Sequence, residues 1–339
     1  MDLSLKTFKQ RYQERLLKFL WEQWSALGVA GEIGAEDNRI IDPEALLLFT
    51  CVVGRHDPRL FDEVLDWLQE NGQFISVTRL KRIAQKESSK GIRSLGAIAA
   101  LLAKGTEMPK WKQLAETIGP LDQPEPFFYN EAGEPIAVLR EPEPHFARFG
   151  YHRGPLRLRG YSQKFQPTER TNLVLQLRAL LGMNVRCEIV AYLLTHEAAH
   201  PSQIAREVYY FDRGVQSTLV DMLASGIVQL QTFGREKRYG LKRELWLTLL
   251  SQAEPAPKWM TWPPLFSALE RVWLRLNDPK LLELDPLLQS SELRQLMVEN
   301  RPSIERAGLG MDLSDDRQFL GESYLPVFIA DMTRLVQKL

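Results

Sequence analysis

Residues 184–243 constrain this chain more than any other stretch, because they prescribe three short helices and a hairpin in immediate succession. Asn184 is a good helix N-cap, and Val185, Ile189 and Leu193 follow at four-residue spacing, the signature of one helical face. Pro201 opens a second helix at a position where its missing N–H costs nothing, and Ile204, Ala205 and Val208 give that helix an inner face. Tyr209 to Asp212 makes a turn. Val215, Leu219 and Met222, at i, i+4 and i+7, predict a third helix, which Gly226 ends where a left-handed residue is wanted. Ile227, Val228 and Leu230 continue as a strand, Phe233-Gly234-Arg235-Glu236 turns, and Lys237 to Leu241 returns.

The run VQSTLVDMLASGIV, with its apolar positions at Val215, Leu219 and Met222, then Gly226, a strand, a Gly-Arg turn and KRYGL, resembles the winged helix-turn-helix of bacterial ArsR- and MarR-type regulators. The resemblance covers about residues 171–250 and implies a sequence-specific DNA-binding transcriptional regulator whose third helix, about 213–225, enters the major groove. With the three apolar residues inward, Arg213, Gln216, Ser217 and Val220 point outward. Arg213 and Gln216 are the expected base readers, Ser217 is expected on phosphate or base, and Gln203, early in the second helix, on phosphate. Arg235, Lys237 and Arg238 on the wing are expected to reach the backbone or minor groove. One such unit reads only a short half-site, so a homodimer on double-stranded DNA is expected, held by the N- or C-terminal helical domains rather than the wing. The turn Tyr209-Tyr210-Phe211 departs from the family in being unusually aromatic.

One motif inside the same stretch points elsewhere. His196-Glu197-Ala198-Ala199-His200 has the HExxH spacing that places two zinc-binding histidines on one helical face with a glutamate to activate water. Pro201 directly follows the second histidine, where the peptidase pattern needs the helix to continue. Ser202 stands where that pattern wants an apolar residue, and no third ligand follows at a familiar spacing. The residues fit better as the end of one helix and the loop to the next. No nucleophile elbow, phosphate-binding lysine loop, paired-cysteine site or dinucleotide fingerprint is found. Gly28, Gly31 and Gly34 lack both the preceding strand and the following Gly-Lys-Ser/Thr of a phosphate loop. The chain is therefore read as a non-enzyme, with no catalytic residue, metal ligand or cofactor expected.

Around the central unit, periodicity predicts a mainly α, multi-domain chain. Residues 1–118 read as an N-terminal helical domain that begins with a helix over 5–27. Within it, 43–103 could form a second helix-turn-helix-like unit. Asp42 and Pro43 start one helix, Pro58 starts the next, Ser76 caps a third, and a fourth runs from about Ser94 to Ala103. The third helix carries Arg79, Lys81, Arg82 and Lys86 on one face, either a second DNA contact or a solvated face of a bundle. Residues 119–167 read as a proline-rich and basic linker with a short hairpin at 127–139. From Phe146 to Phe165 it holds Arg148, Arg153, Arg157, Arg159 and Lys164 with no acidic residue, interleaved with Phe149, Tyr151 and Tyr161. That pattern suits nucleic-acid contact through Arg153, Arg157 and Arg159, and equally suits a basic strand lying on an acidic neighbour. Residues 168–252 make the winged domain, entered by a helix from Thr171 to Leu181 that stops at Gly182. Residues 258–339 read as an acidic helical domain, a poor DNA binder better suited to dimerisation or to a protein or ligand signal.

Composition sets limits on these readings. The 339 residues have a formal net charge of zero, so any nucleic-acid site is a local patch. Cys51 and Cys187 sit in apolar helical contexts and read as buried thiols in a reducing compartment. The charged, amphipathic first residues are unlike a secretion signal, and the longest apolar run, around Ala45 to Val53, is too short to span a bilayer; a cytoplasmic protein is expected. A protein-interaction adaptor using the same helical units is the second reading, and a zinc hydrolase through His196 and His200 the third.

Overall fold

The computed structural model describes residues 4–31, 38–105, 108–234, 236–252 and 257–339. The chain is mainly helical, with sixteen α-helices and two two-stranded sheets among these residues. Helix starts follow the capping residues. Ser4 accepts from the Thr7 N–H at the start of α1 (Leu5–Ala26). Asp42 and Asp57 do the same for α2 (Pro43–Val53) and α3 (Pro58–Asn71), each with proline in the first turn, and Ser76 for α4 (Val77–Lys86). α5 (Ile92–Gly105) starts two residues before the expected Ser94, and α6 (Pro109–Thr117) follows.

The segment after α6 contains β1 (Glu125–Pro126), α7 (Pro144–Ala147) and β2 (Tyr151–His152), with β1 and β2 parallel. The hairpin expected at 127–139 is reduced to a tight turn: Ile136 N–H donates to the Phe128 carbonyl at 2.9 Å, and a single bridge joins Tyr129 to Pro135. The basic stretch then lies along the acidic flank of α3. Arg153 pairs with Asp62 at 2.8 Å, and the Gly160 and Ser162 N–H groups donate to the two oxygens of Asp66 at 2.9 Å each. Arg159 and Lys164 approach Glu63 and Glu70 at 3.9 and 3.7 Å.

The C-terminal helices are α13 (Trp262–Leu276), α14 (Pro279–Glu283), α15 (Pro286–Arg306) and α16 (Tyr324–Gln337). They do not build a core apart from the N-terminal helices. Phe8 meets Phe328 at 5.7 Å, Phe19 meets Trp262 at 5.6 Å, and Phe49 stacks on Phe266 at 4.8 Å. The Tyr12 hydroxyl donates to the Leu269 carbonyl. The segments read as domains 1–118 and 258–339 thus share one hydrophobic core. Helix α2 is buried along its whole length, which a single amphipathic layer could not achieve.

A second core is built by α8 (Leu173–Leu181), α9 (Val185–Thr195), α10 (Pro201–Val208), α11 (Asp212–Ala224), the antiparallel pair β3 (Val228–Phe233) and β4 (Glu236–Leu241), and α12 (Arg243–Leu249). Helix α8 begins after a 3-10 turn over Arg170–Asn172, two residues beyond the expected Thr171 cap.

Charges close the seam between the two cores. Arg178 of α8 donates to Glu44 at 2.6 and 2.9 Å and to Glu188 of α9 at 2.6 and 3.0 Å. Arg79 of α4 donates to Asp42, to Glu44 at 2.7 Å, and to the Val208 carbonyl at 2.9 Å. Burial alone would raise the Glu44 pKa, but the two guanidiniums and the Ser76 N–H outweigh it and hold the carboxyl at about 2. A buried ion cluster of this kind fixes orientation more than it adds net stability. No helix among the described residues is long and apolar enough to cross a membrane.

Candidate nucleic-acid interface

Helices α9 to α11 and the β3–β4 pair form one unit whose geometry follows from its apolar positions. Val215 and Leu219 are fully buried and Met222 nearly so, while Arg213, Gln216, Ser217 and Val220 are exposed on the opposite side of α11. Gly226, with φ +74°, releases the chain into β3. Val228 pairs with Leu241 and Phe233 with Glu236, an antiparallel hairpin that turns where the sequence predicts the turn. The loop between α9 and α10 adds a bridge to it, because Ala199 and Tyr239 exchange both backbone hydrogen bonds at 2.9 Å. That approach needs glycine at 240: a Cβ there would lie 2.7 Å from the Glu197 carbonyl oxygen.

Two of the expected readers have internal ties. Gln216 Nε2 reaches the Tyr239 hydroxyl at 3.3 Å, and Gln203 Nε2 donates to the Tyr192 hydroxyl at 3.1 Å. Arg213 and Ser217 are exposed beside Gln216, and Lys237 is exposed on the hairpin. Arg238 turns back to Glu236 at 3.1 Å. Arg235 lies outside the described residues. Arg186, at the start of α9, reaches Asp221 of α11 at 3.8 Å and places one more exposed cation beside this face. Nothing in its helical position marks it from sequence.

Two residues named as additional DNA contacts are corrected. Arg79 is 3% exposed and committed to Asp42, Glu44 and Val208; Arg153 is 3% exposed, paired with Asp62 and packed over Phe128 and Phe146. Neither can reach a phosphate without unpairing a buried charge. Lys81 is half-buried, Arg157 is exposed, and Arg159 is exposed with Glu63 as its neighbour. Arg82 lies over Phe211 at 4.1 Å and over Tyr210 at 5.1 Å.

Those contacts account for the aromatic turn. Tyr209 takes a left-handed conformation, φ +60°, rare for a residue with a Cβ. Its buried hydroxyl donates to Glu87 just beyond α4, and Lys86 sits over its ring. Burial first and Glu87 second push its pKa up, so the phenol stays protonated and keeps donating. The turn is the surface by which the second core docks on α4.

The HEAAH residues separate into two roles. His196 follows the last residue of α9 and has φ −127°; its Nδ1 lies 2.8 Å from the Tyr192 carbonyl, and its ring stacks on Tyr192 at 3.9 Å. Burial lowers its pKa, which favours the neutral ring with Nδ1 donating. His200 instead caps α10, accepting from the Ser202 N–H at 3.3 Å. The pair therefore does not share a helical face. Among the described residues no group of three or more His, Cys, Asp or Glu is placed to hold a metal ion. Glu197 is exposed in the loop, so Glu197→Gln is expected to leave thermal stability unchanged. Stoichiometric zinc by elemental analysis, with a peptidase activity lost in this variant, would reverse that reading.

No family model matches the chain, and comparison with curated proteins and with solved structures gave no match.

Proposed function

We propose that the α9–α11 unit with its β3–β4 hairpin works as a winged helix-turn-helix, and that the protein is a sequence-specific DNA-binding transcriptional regulator rather than an enzyme. The observation that carries this reading is the division of α11. One side is locked into a core by Val215, Leu219 and Met222, and the other presents Arg213, Gln216 and Ser217 beside a hairpin bearing Lys237 and Arg238. A supported helix of 13 residues with polar side chains outward suits major-groove readout, and the hairpin suits backbone contact.

Two substitutions test it. Arg213→Ala is expected to cost about 1–3 kcal/mol on the specific site and little on random DNA. Lys237→Ala is expected to weaken both DNAs alike and to lower the slope of log K against log salt by about one unit. Titrations at several salt concentrations measure both, on the fragment that the protein protects upstream of its own gene.

Because a single unit reads a short half-site, the reading takes two copies per operator. Light scattering at micromolar concentration, with and without DNA, is expected to report a dimer; a monomer under both conditions would count against it.

The adaptor reading has its own support. Phe211, Val220, Ile227 and Leu230 are exposed along α11 and β3, and Asp212, Asp221 and Glu236 offset the nearby cations. Weak heparin retention at low salt, together with no effect of Arg213→Ala on DNA binding, would put it first.

A further inference from the structure

The C-terminal helices carry a surface that the DNA reading does not use. Large apolar side chains stand exposed there, among them Met311 at 98%, Leu320 at 68%, Leu287 at 50% and Val298 at 46%. Two of these four lie on α15 and two on the loop that packs against it. On α15, Leu287, Ser291, Arg294 and Val298 recur at helical spacing on one side, away from the buried stripe of Leu293, Met297 and Ile304. Arg294 is half-buried and engaged with a neighbour.

The loop before α16 runs back along α15. Gly310 abuts Glu305, the Arg301 guanidinium donates to the Ser314 carbonyl at 2.6 Å, and the Ser290 hydroxyl donates to the Gly321 carbonyl at 2.6 Å. A Cβ on Gly321 would lie 3.4 Å from Leu287 Cδ1, so Leu287 and the Leu320–Gly321 step are neighbours. From Leu287 to Glu305 the strip is about 27 Å long at 1.5 Å per helical residue.

Its charge is one-sided. Residues 283–322 hold nine acidic and four basic side chains. Of the four, Arg306 turns toward Glu207 at 3.6 Å and Arg301 toward Ser314. Glu283, Asp285, Glu305, Asp315 and Glu322 are exposed along the same segment, with Arg317 as its exposed basic residue. An acidic surface repels nucleic acid, while exposed apolar side chains reward burial.

We propose that this strip docks a basic amphipathic helix of a partner protein. The apolar face of such a helix would lie over Leu287, Val298, Met311 and Leu320, with its lysines and arginines toward those acidic side chains. A helix of about 18 residues matches the strip's length. DNA would bring the wrong charge.

The test uses the full chain and a fluorescently labelled leucine–lysine peptide of about 18 residues, patterned to be amphipathic as a helix. An isomer of the same composition with that pattern scrambled serves as the comparison. Anisotropy is expected to show the amphipathic peptide binding about tenfold more tightly than the isomer. The double variant Leu287→Ser/Leu320→Ser is expected to lose about that factor, and Leu245→Ser/Leu249→Ser on exposed α12 to lose none. Both pairs are exposed, so neither is expected to unfold the chain. Absence of binding, equal binding of the two peptides, or indifference to the Leu287/Leu320 change would overturn the proposal. So would a dimer in light scattering that this same change abolishes, since a second copy would then be what covers the strip.

Discussion

Replacing Arg178 by methionine is expected to destabilise the folded chain by about 3–5 kcal/mol, measured by denaturant unfolding at neutral pH. The arginine is 2% exposed and supplies four hydrogen bonds to two carboxylates at the seam between the cores. Methionine keeps much of its volume and none of its charge. Glu188 would then hold a buried carboxylate whose Oε1 has lost both donors and whose Oε2 has no hydrogen-bond partner. Glu44 would retain Arg79 and the Ser76 N–H but lose its larger electrostatic support.

The pH dependence has a definite sign. The folded-state pKa of Glu44 is depressed to about 2, below its value in an unfolded chain of about 4.3. Its contribution, roughly 3 kcal/mol from that difference, is present above about pH 4.3 and lost as the pH falls toward 2. Removing Arg178 raises the Glu44 pKa, so the gap between variant and wild type is expected to be widest near neutrality and to narrow below about pH 4. Adding Glu188→Leu to Arg178→Met removes the stranded carboxylate and is expected to recover a large part of the loss. A single-variant cost under about 1 kcal/mol, unchanged by pH, would mean that the cluster does not hold the seam.

What could be read from sequence and what could not divide along the range of the interactions. Asp42-Pro43, Pro58 and Ser76 announce helix starts because caps and first-turn prolines act within a few residues. Val215, Leu219 and Met222 announce the buried side of α11 because the helical period is local, and the turn at 233–236 sets the hairpin register. Arg79 is indistinguishable from Lys81 or Arg82 on such grounds. It is buried because Asp42 and Glu44, on another helix, lie against it. The basic run 146–165 likewise looks like a nucleic-acid strip until α3 is placed beneath it, where Asp62, Glu63, Asp66 and Glu70 face it. The alternation of residue types showed the run's charge but not its neighbour. The joining of the N- and C-terminal helices into one core rests on contacts such as Phe8–Phe328, which no local pattern encodes. For the candidate site, the outward residues of α11 were legible, whereas Arg186 and the docking role of Tyr209 depend on tertiary approach.

Val215→Asp is expected to cost about 4–5 kcal/mol, because it places a carboxylate at a fully buried position with no cation assigned to meet it. Where that cost appears is the informative part. Val215 belongs to the core formed by α8–α12 and the hairpin, while the helices of the N- and C-terminal segments bury their side chains in the other. Loss is therefore expected to be confined: amides of α9–α11 should lose hydrogen-exchange protection while those of α1 and α13 keep theirs. DNA binding should fall on specific and random fragments alike, since reader and wing lose their support together. That pattern differs from Arg213→Ala, which removes an exposed side chain and is expected to leave the exchange profile unchanged. Should Val215→Asp strip protection from α1 and α13 as well, the ion cluster at Arg178 and the Tyr209 contact would be strong enough to make the two cores one cooperative unit. Should it leave α11 protected, the inward assignment of Val215 would fail, and with it the outward assignment of Arg213, Gln216 and Ser217 on which the proposed reading of DNA depends.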